Sequence, residues 1–344
     1  MKDPLRRATR DPRVAGVLVS NPTKVWWPDD GITKLDMARF YDGLWTKLRP
    51  WLRDRPLTAE RCPDGMLGSC FYQKDFAPDG PPAGTPRLRL RAASTGKDVH
   101  YLVGGSRATL AAMVNLGCIA IHVMSTRASN MRDADWLAFD LDPSSGEFAD
   151  AARAGLALRP LLDDARLTSF PKTSGSRGLH VFVPLRAGQS LDEARRVAVA
   201  IGEELARREP KLVTVAHRKS ARGGRVFADA FRNGYGQTIV PPYSVRRRPH
   251  AVVSTPLAWD EVSPRLDPSR FTIRTLDRRL AKADPWAAFW RTRQSLRNVA
   301  MCEPRRRRAR RAARRHGSRH HDEGRTDPVV SLRWSERLSG VAAG

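Results

Sequence analysis

From Thr33 to Pro50 the apolar residues Met37, Tyr41, Leu44, Trp45 and Leu48 recur three and four positions apart, as one face of a helix requires, and Pro50 is placed to end it. Ser190 and Glu193 have the spacing of a capping box. Ala194, Val197, Ala198, Ile201 and Leu205 follow on one face until Pro210, which predicts a second amphipathic helix. Three short apolar runs read instead as strands: Trp136 to Leu141, Leu179 to Pro184 and Val226 to Phe231. The Pro- and Gly-rich stretch from Ala77 to Pro86 reads as a loop. Helical and extended patterns alternate without an internal repeat, so the chain reads as an α/β protein. Two of the strand-like runs carry aspartate where packing alone would not put it.

Side chains alternate across a strand, so the carboxylates of Asp140 and Asp142 share one face while Leu137, Phe139 and Leu141 share the other. Two residues along a strand span ~6.6 Å, close enough for both carboxylates to grip one divalent cation. Without a cation, repulsion and desolvation would cost stability. The plain alternative is a pair of exposed aspartates where the strand enters a turn. Further on, Thr173-Ser174-Gly175-Ser176-Arg177-Gly178-Leu179-His180 is a small-residue turn running into a strand. Its glycines let backbone N–H groups approach phosphate, and Ser174, Arg177 and His180 add donors. A core role for His180 fits the sequence equally well. Asp229 stands between apolar neighbours just after Arg222 and Arg225, so an arginine or a metal ion has to satisfy it. Together, carboxylates from separate strands with nearby cations are what two-metal phosphoryl chemistry needs.

The 344 residues carry a formal charge of +25, which points to a polyanionic partner. Thirteen Arg against five acidic residues from Leu296 onward account for +8, leaving +17 on the preceding 295 residues. Nucleic acid fits this balance better than a membrane, because no run of ~20 apolar residues is present. Residues 296–344 read as a basic, disordered tail whose functional alternative is a non-specific grip on phosphates. His316, His320 and His321 lie in it without partners of metal-site spacing. The N-terminal segment has no recognisable signal-peptide cleavage site, and a cytoplasmic, nucleoid-associated location is expected. Cys62, Cys70, Cys118 and Cys302 show no CxxC pairing and read as reduced thiols. The length suits two packed modules, each with its own core.

The DLDP strand, the SGSRGLH turn and Phe227 to Trp259, with Tyr243-Ser244-Val245-Arg246, Ser254-Thr255-Pro256-Leu257 and Trp259-Asp260-Glu261, resemble the polymerase domain of bacterial ligase D, within the archaeo-eukaryotic primase superfamily. The resemblance runs from about Asn21 to Trp290. It implies a mixed or antiparallel catalytic sheet backed by helices. The catalytic domain would cover residues 1–295, with a DNA-end-binding part to about 125 and a catalytic part from about 126. Asp140, Asp142 and Asp229 would hold two divalent ions, Mn2+ or Mg2+, supported by His122. Ser174, Arg177, His180, Arg222 and Arg246 would contact a nucleoside triphosphate. Asn21, Lys24 and Lys34 match a pocket for a 5′-phosphate on the downstream side of a DNA gap, and Phe71 and Tyr72 match an aromatic pair that stacks on template.

The implied reaction is template-directed addition of nucleotides, ribonucleotides preferred, at gaps or broken ends in end joining. The bacterial Ku end-binding protein and a separate DNA ligase are the implied partners. Arg232 stands where relatives commonly carry a different polar residue near the nucleotide, which leaves the sugar choice open. No KxDG-type ligase motif is found, so a stand-alone polymerase is expected. Two other classes share parts of the pattern. Haloacid-dehalogenase-type phosphatases carry a DxD at a strand end, but near the chain start and followed by Gly-Thr, where Pro143-Ser144 stand here. A DNA-end binding module with a degenerate site would share the charge, and the presence of all three aspartates speaks against it.

Overall fold

The computed structural model describes residues 12–297 and 299, except 79, 81, 93 and 94; residues 300–344 of the expected tail, with its histidines and Cys302, lie outside the described residues, whereas Leu296, expected at the tail's start, is buried and its N–H donates to Gln189 Oε1. The N-terminal part begins with two short antiparallel pairs, β1 (Arg13–Val14) with β2 (Val17–Leu18) and β3 (Val25–Trp27) with β4 (Ile32–Thr33). Thr33 then caps α1 (Lys34–Gly43) through a reciprocal capping box with Asp36. The single helix expected up to Pro50 is broken instead at Leu44, whose ψ of 4° turns the chain, and α2 (Trp45–Leu52) carries Pro50 inside it. Pro50 is tolerated because the carbonyl it leaves without a donor belongs to the exposed Thr46.

A sheet of β5 (Pro56–Arg61), β6 (Phe71–Gln73), β7 (Arg87–Arg91) and β8 (Asp98–Val103) follows in the order β6-β5-β8-β7. After α3 (Arg107–Asn115) the strand β9 (Cys118–Val123) pairs with β5. Cys62 and Cys70, expected as thiols, form a disulfide. Arg61 lies opposite Phe71 in the β5–β6 hairpin, so these cysteines are the next pair outward, with Cα atoms 4.4 Å apart. Spacing rules for CxxC motifs do not detect a bridge made by hairpin register.

The second sheet holds β10 (Trp136–Pro143), β11 (Phe170–Thr173), β12 (Leu179–Pro184), β13 (Val213–Thr214) and β14 (Val226–Asp229). Its order is β11-β12-β10-β14-β13, antiparallel except for the parallel β13–β14 pair. Helices α4 (Phe148–Asp164) and α5 (Leu191–Arg208) cover one face. Ser190 caps α5 by accepting the Glu193 N–H, and the five apolar residues expected on its inner face are all buried. The chain continues through irregular segments and α6 (Leu276–Leu280).

Instead of two separate modules with a core each, the two cores lie on opposite faces of the second sheet. Leu137, Phe139 and Leu141 of β10 pack with α4 and α5, while Trp136 and Ala138 join the core of the N-terminal part. Trp51 of α2 reaches across, its ring 5.5 Å from Trp136, 4.8 Å from Phe289 and 4.7 Å from Trp290. A sheet buried on both faces cannot be cut from either layer without exposing it. Among the described residues no helix is long and apolar enough to cross a membrane. Truncating Trp51 to Ala is expected to destabilise the fold by about 3–5 kcal/mol, read as a lowered urea midpoint.

Candidate active site

On β10 the alternation that buries Leu137, Phe139 and Leu141 turns Asp140 and Asp142 to the other face, at the end of the strand beyond Trp136 and Ala138. Asp140 lies directly opposite His180 on β12 and opposite Asp229 on β14, while Lys172 on β11 lies opposite His180. Four adjacent strands thus present one transverse row: Lys172, His180, Asp140 and Asp229. The row opens into a cleft of about 430 Å³ whose other wall belongs to the first sheet, with Thr58, Tyr72 and His122 facing Asp140, His180 and Arg246.

The row is buried at its Lys172 and His180 end and opens to the cleft at Asp140 and Asp229. Lys172 is fully buried and makes two bonds, to His180 Nδ1 at 2.9 Å and to Ser254 Oγ at 2.5 Å. Ser254 Oγ donates in turn to the Thr173 carbonyl, so it accepts from Lys172. Burial, then the neighbouring Lys172, brings the His180 imidazole down to about 4, and the ring is neutral at pH 7. With Lys172 donating to Nδ1, the ring proton sits on Nε2, 3.3 Å from Asp140 Oδ1. Burial would raise the Asp140 carboxyl, but His180, Arg232 and Arg246 outweigh it and hold the group below the usual carboxylate range. Asp142 and Asp229 are both pushed up, first by burial and then, in part, by the charge on Asp140. Three carboxylates are therefore crowded against one another.

Cations answer that crowding. Arg232 Nε lies 3.1 Å from Asp229 and 3.5 Å from Asp140, and Arg222 Nη1 lies 3.7 Å from Asp142. Arg222 is held over the Phe227 ring at 4.0 Å and donates to the carbonyls of Ala216 and His217. Among the described residues no three His, Cys, Asp or Glu side chains converge on a preformed metal position. The donor set nevertheless fits a hard divalent cation: carboxylate oxygens from three aspartates on one face, with arginines beside them to meet a polyphosphate. His122, on β9 across the cleft, has a buried Nε2 with no partner among the described residues, and burial, then Arg246 and Arg232, keeps its ring neutral.

The turn between β11 and β12 is shaped by close approach. A Cβ on Gly175, whose φ is +71°, would lie 2.9 Å from the Ser254 nitrogen, and one on Gly178 would lie 2.7 Å from the Leu141 carbonyl. Ser174 Oγ accepts the N–H groups of Ser176 and Gly178, and Arg246 donates to the Ser174 carbonyl. Arg246 and His180 therefore face the cleft together. Arg177 is exposed and borders a second concavity of about 310 Å³ with Ser176 and Arg248, while its charge acts on the Asp142 carboxyl.

Asn21, Lys24 and Lys34 meet at the start of α1, where the Asn21 carbonyl accepts the Lys24 N–H and the Lys24 carbonyl accepts the Lys34 N–H. Lys24 is paired with Asp64 at 2.6 Å. Burial, then Lys24, brings the Lys34 amine down to about 8. Phe71 and Tyr72, 48% and 61% exposed, are adjacent on β6 and so point to opposite faces. Tyr72 meets His122 edge-on at 5.3 Å and lines the cleft, while Phe71 lies under the Arg61 guanidinium.

Lys172 and Thr58 go unmarked in the sequence, and Ser254 stands out only within the Ser254-Thr255-Pro256-Leu257 motif, without a role. For Lys172 a signal existed, since a hairpin turning at 174–178 puts residue 172 opposite His180. Ser254 and Thr58 come from elements whose approach no local pattern encodes.

A family profile described as "LigD, primase-polymerase domain" matches residues 33–286. The multifunctional non-homologous end joining protein LigD of Mycolicibacterium smegmatis is 33% identical over 272 residues, 77% of this chain and 35% of that protein. Its counterpart from Pseudomonas aeruginosa is 32% identical over 300 residues, 82% of this chain and 34% of that protein. The chain thus spans about a third of the length of these relatives. Among solved structures, the polymerase domain of Mycobacterium tuberculosis ligase D in complex with DNA matches with a TM-score of 0.73 at 31% identity, covering 82% of this chain and all of that one. With the mixed, helix-backed sheet in place and the family match extending over most of the sequence, the chain belongs to the LigD primase-polymerase domain family.

Proposed function

We propose that the chain is a template-directed nucleotidyltransferase that extends a primer 3′-hydroxyl at DNA gaps or broken ends. The observation that carries this reading is the carboxylate pair Asp140 and Asp229 in register at the end of the sheet, with Asp142 on the same face and a cleft in front of them. The haloacid-dehalogenase alternative falls with the family match. End joining is named for the relatives of Mycolicibacterium smegmatis and Pseudomonas aeruginosa, and DNA for the Mycobacterium tuberculosis structure; both are carried to this chain as part of the proposal.

Asp140, Asp142 and Asp229 would hold two divalent ions, Mn2+ or Mg2+, which when bound supply charge stabilisation at the reacting phosphate and acidify the attacking hydroxyl. His180, whose Nε2–H faces Asp140 Oδ1 at 3.3 Å, would turn that one N–H to a phosphate oxygen once Asp140 holds a metal ion. Arg246 and Arg222 neutralise the triphosphate, and Ser174 frames the turn that positions Arg246. Arg177, bordering the neighbouring concavity, serves the nucleotide from outside the main cleft. Tyr72 offers an exposed face for base stacking at the cleft wall, with Phe71 on the opposite side of β6. Ribonucleotides are the proposed preference, and Ku and a separate ligase the proposed partners, in the cytoplasm at the nucleoid. The charge of +17 on the first 295 residues supports a DNA-bound life.

Labelled ribo- and deoxynucleoside triphosphates offered with Mn2+ and a 5′-phosphorylated gapped DNA test the reading. Template-following incorporation is expected, with a loss of at least about a hundredfold in Asp140→Asn/Asp142→Asn. A wild type that binds the DNA and adds nothing under any divalent metal would leave an end-binding module as the better account.

The pocket of Asn21, Lys24 and Lys34 generates a pH prediction. The Lys34 amine, down at about 8, is charged below that pH and neutral above it, and a bound phosphate dianion favours the charged form. The preference for 5′-phosphate over 5′-hydroxyl DNA should therefore fall as pH rises from 7 to 9, measured as the ratio of the two Kd values. Lys34→Met should lower the ratio and flatten its pH dependence.

A further inference from the structure

Arg232 occupies an unusual place. It follows Asp229 by three residues, in a short turn over Phe231–Asn233 that is locked to the sheet at both ends. The Phe231 N–H donates to Asp229 Oδ1 at 2.9 Å. The Asn233 side chain accepts the Ala138 N–H at 2.7 Å and donates to the carbonyls of Ala138 and Ala230 at 2.8 and 2.7 Å. Ala138 is two residues from Asp140 on the same strand, so this turn is registered against the carboxylate it faces. The result is a guanidinium set between two carboxylates that lie opposite each other on adjacent strands, 3.1 Å from one and 3.5 Å from the other. A divalent cation shared by Asp140 and Asp229 would need that same region.

We propose that Arg232 is an internal counterion that closes the Asp140–Asp229 pair to free metal and releases it when metal arrives together with a nucleoside triphosphate. The inference rests on the nucleotidyl-transfer reading above and deepens it. A bare divalent ion entering the pair must strip its own water, break the two arginine contacts and leave an unpaired cation beside itself. A metal carried by a triphosphate brings anionic oxygens that take over the displaced guanidinium. Arg232 has room for the move, because its side chain is 40% exposed and borders the same cleft as His180 and Arg246. Its neighbours His180 and Arg246 cannot substitute for it: His180 is tied to Lys172, and Arg246 is bonded to the Ser174 carbonyl. Metal and nucleotide affinities are then coupled through one side chain, and by linkage the coupling is the same in both directions.

The test is Mn2+ binding to the protein alone, read from the EPR signal of the free ion, for the wild type, Arg232→Gln and Arg232→Lys. Each is measured with and without a non-hydrolysable α,β-methylene nucleoside triphosphate whose own Mn2+ affinity is determined separately. Arg232→Gln should bind Mn2+ about tenfold tighter than the wild type without nucleotide, a difference of about 1.4 kcal/mol. The nucleotide should strengthen Mn2+ binding less in this variant than in the wild type, and Arg232→Lys should stay near the wild type. The thermal midpoint of Arg232→Gln should also rise more on adding Mn2+, which registers binding independently of turnover. Equal or weaker Mn2+ binding by a folded Arg232→Gln overturns the proposal. If the wild type still incorporates nucleotides in that case, the counterion role alone is lost. If neither protein binds Mn2+ and the wild type incorporates nothing, the nucleotidyl-transfer reading is lost with it.

Discussion

The structure depends on a line of four side chains in register across antiparallel strands: Lys172, His180, Asp140 and Asp229. Antiparallel pairing sets cross-strand neighbours about 5 Å apart, so each group feels its neighbour's charge strongly in a buried setting. The order alternates in function. Lys172 fixes the tautomer of His180, His180 presents its N–H to Asp140, and Asp140 raises the demand for positive charge at Asp229. Register is fixed by the alternation of Leu137, Phe139 and Leu141 into the helix-covered face; a slip of one residue would send the carboxylates into the α4 and α5 core.

Everything else around the cleft positions or balances that line. The N-terminal layer supplies the opposing wall, with His122 and Tyr72 on strands that the shared aromatic core around Trp51 holds in place. Gly175 and Gly178 allow the β11–β12 turn to press against Ser254 and Leu141, which brings Arg246 to the cleft. Arg222 and Arg232 come from the segment around β14 and are the counterions of Asp142 and Asp229. A cleft that gathers negative charge from the sheet and positive charge from its loops suits a ligand carrying both a polyphosphate and metal ions.

Much of this was legible in the sequence because the governing periods are short. The two-residue alternation around Asp140 gave its face, and the apolar run around Asp229 gave a second strand, as observed. The three- and four-residue spacing from Ala194 to Leu205 gave the helix that backs the sheet. Long-range features were harder. The break at Leu44 depends on how α1 and α2 pack, and Pro50 was the louder local signal. The Cys62–Cys70 bridge follows from hairpin register and not from cysteine spacing. Arg177, grouped by motif with His180, borders a neighbouring concavity because it lies in the turn, whereas His180 lies in β12 opposite Lys172. Lys172 was overlooked because a strand lysine normally faces solvent, and only its position opposite His180 says otherwise.

The central claim is that Asp140, Asp142 and Asp229 jointly bind divalent ions in front of a nucleotide. A crystal of the protein with Mn2+, a non-hydrolysable nucleoside triphosphate and 5′-phosphorylated gapped DNA, measured for anomalous scattering, tests it most directly. Two manganese peaks are expected at about 2.2 Å from carboxylate oxygens, shared between these aspartates and the triphosphate, with the Arg232 guanidinium moved off the carboxylate pair. No anomalous density at the carboxylates, with nucleotide bound and Arg232 still bridging Asp140 and Asp229, would contradict it.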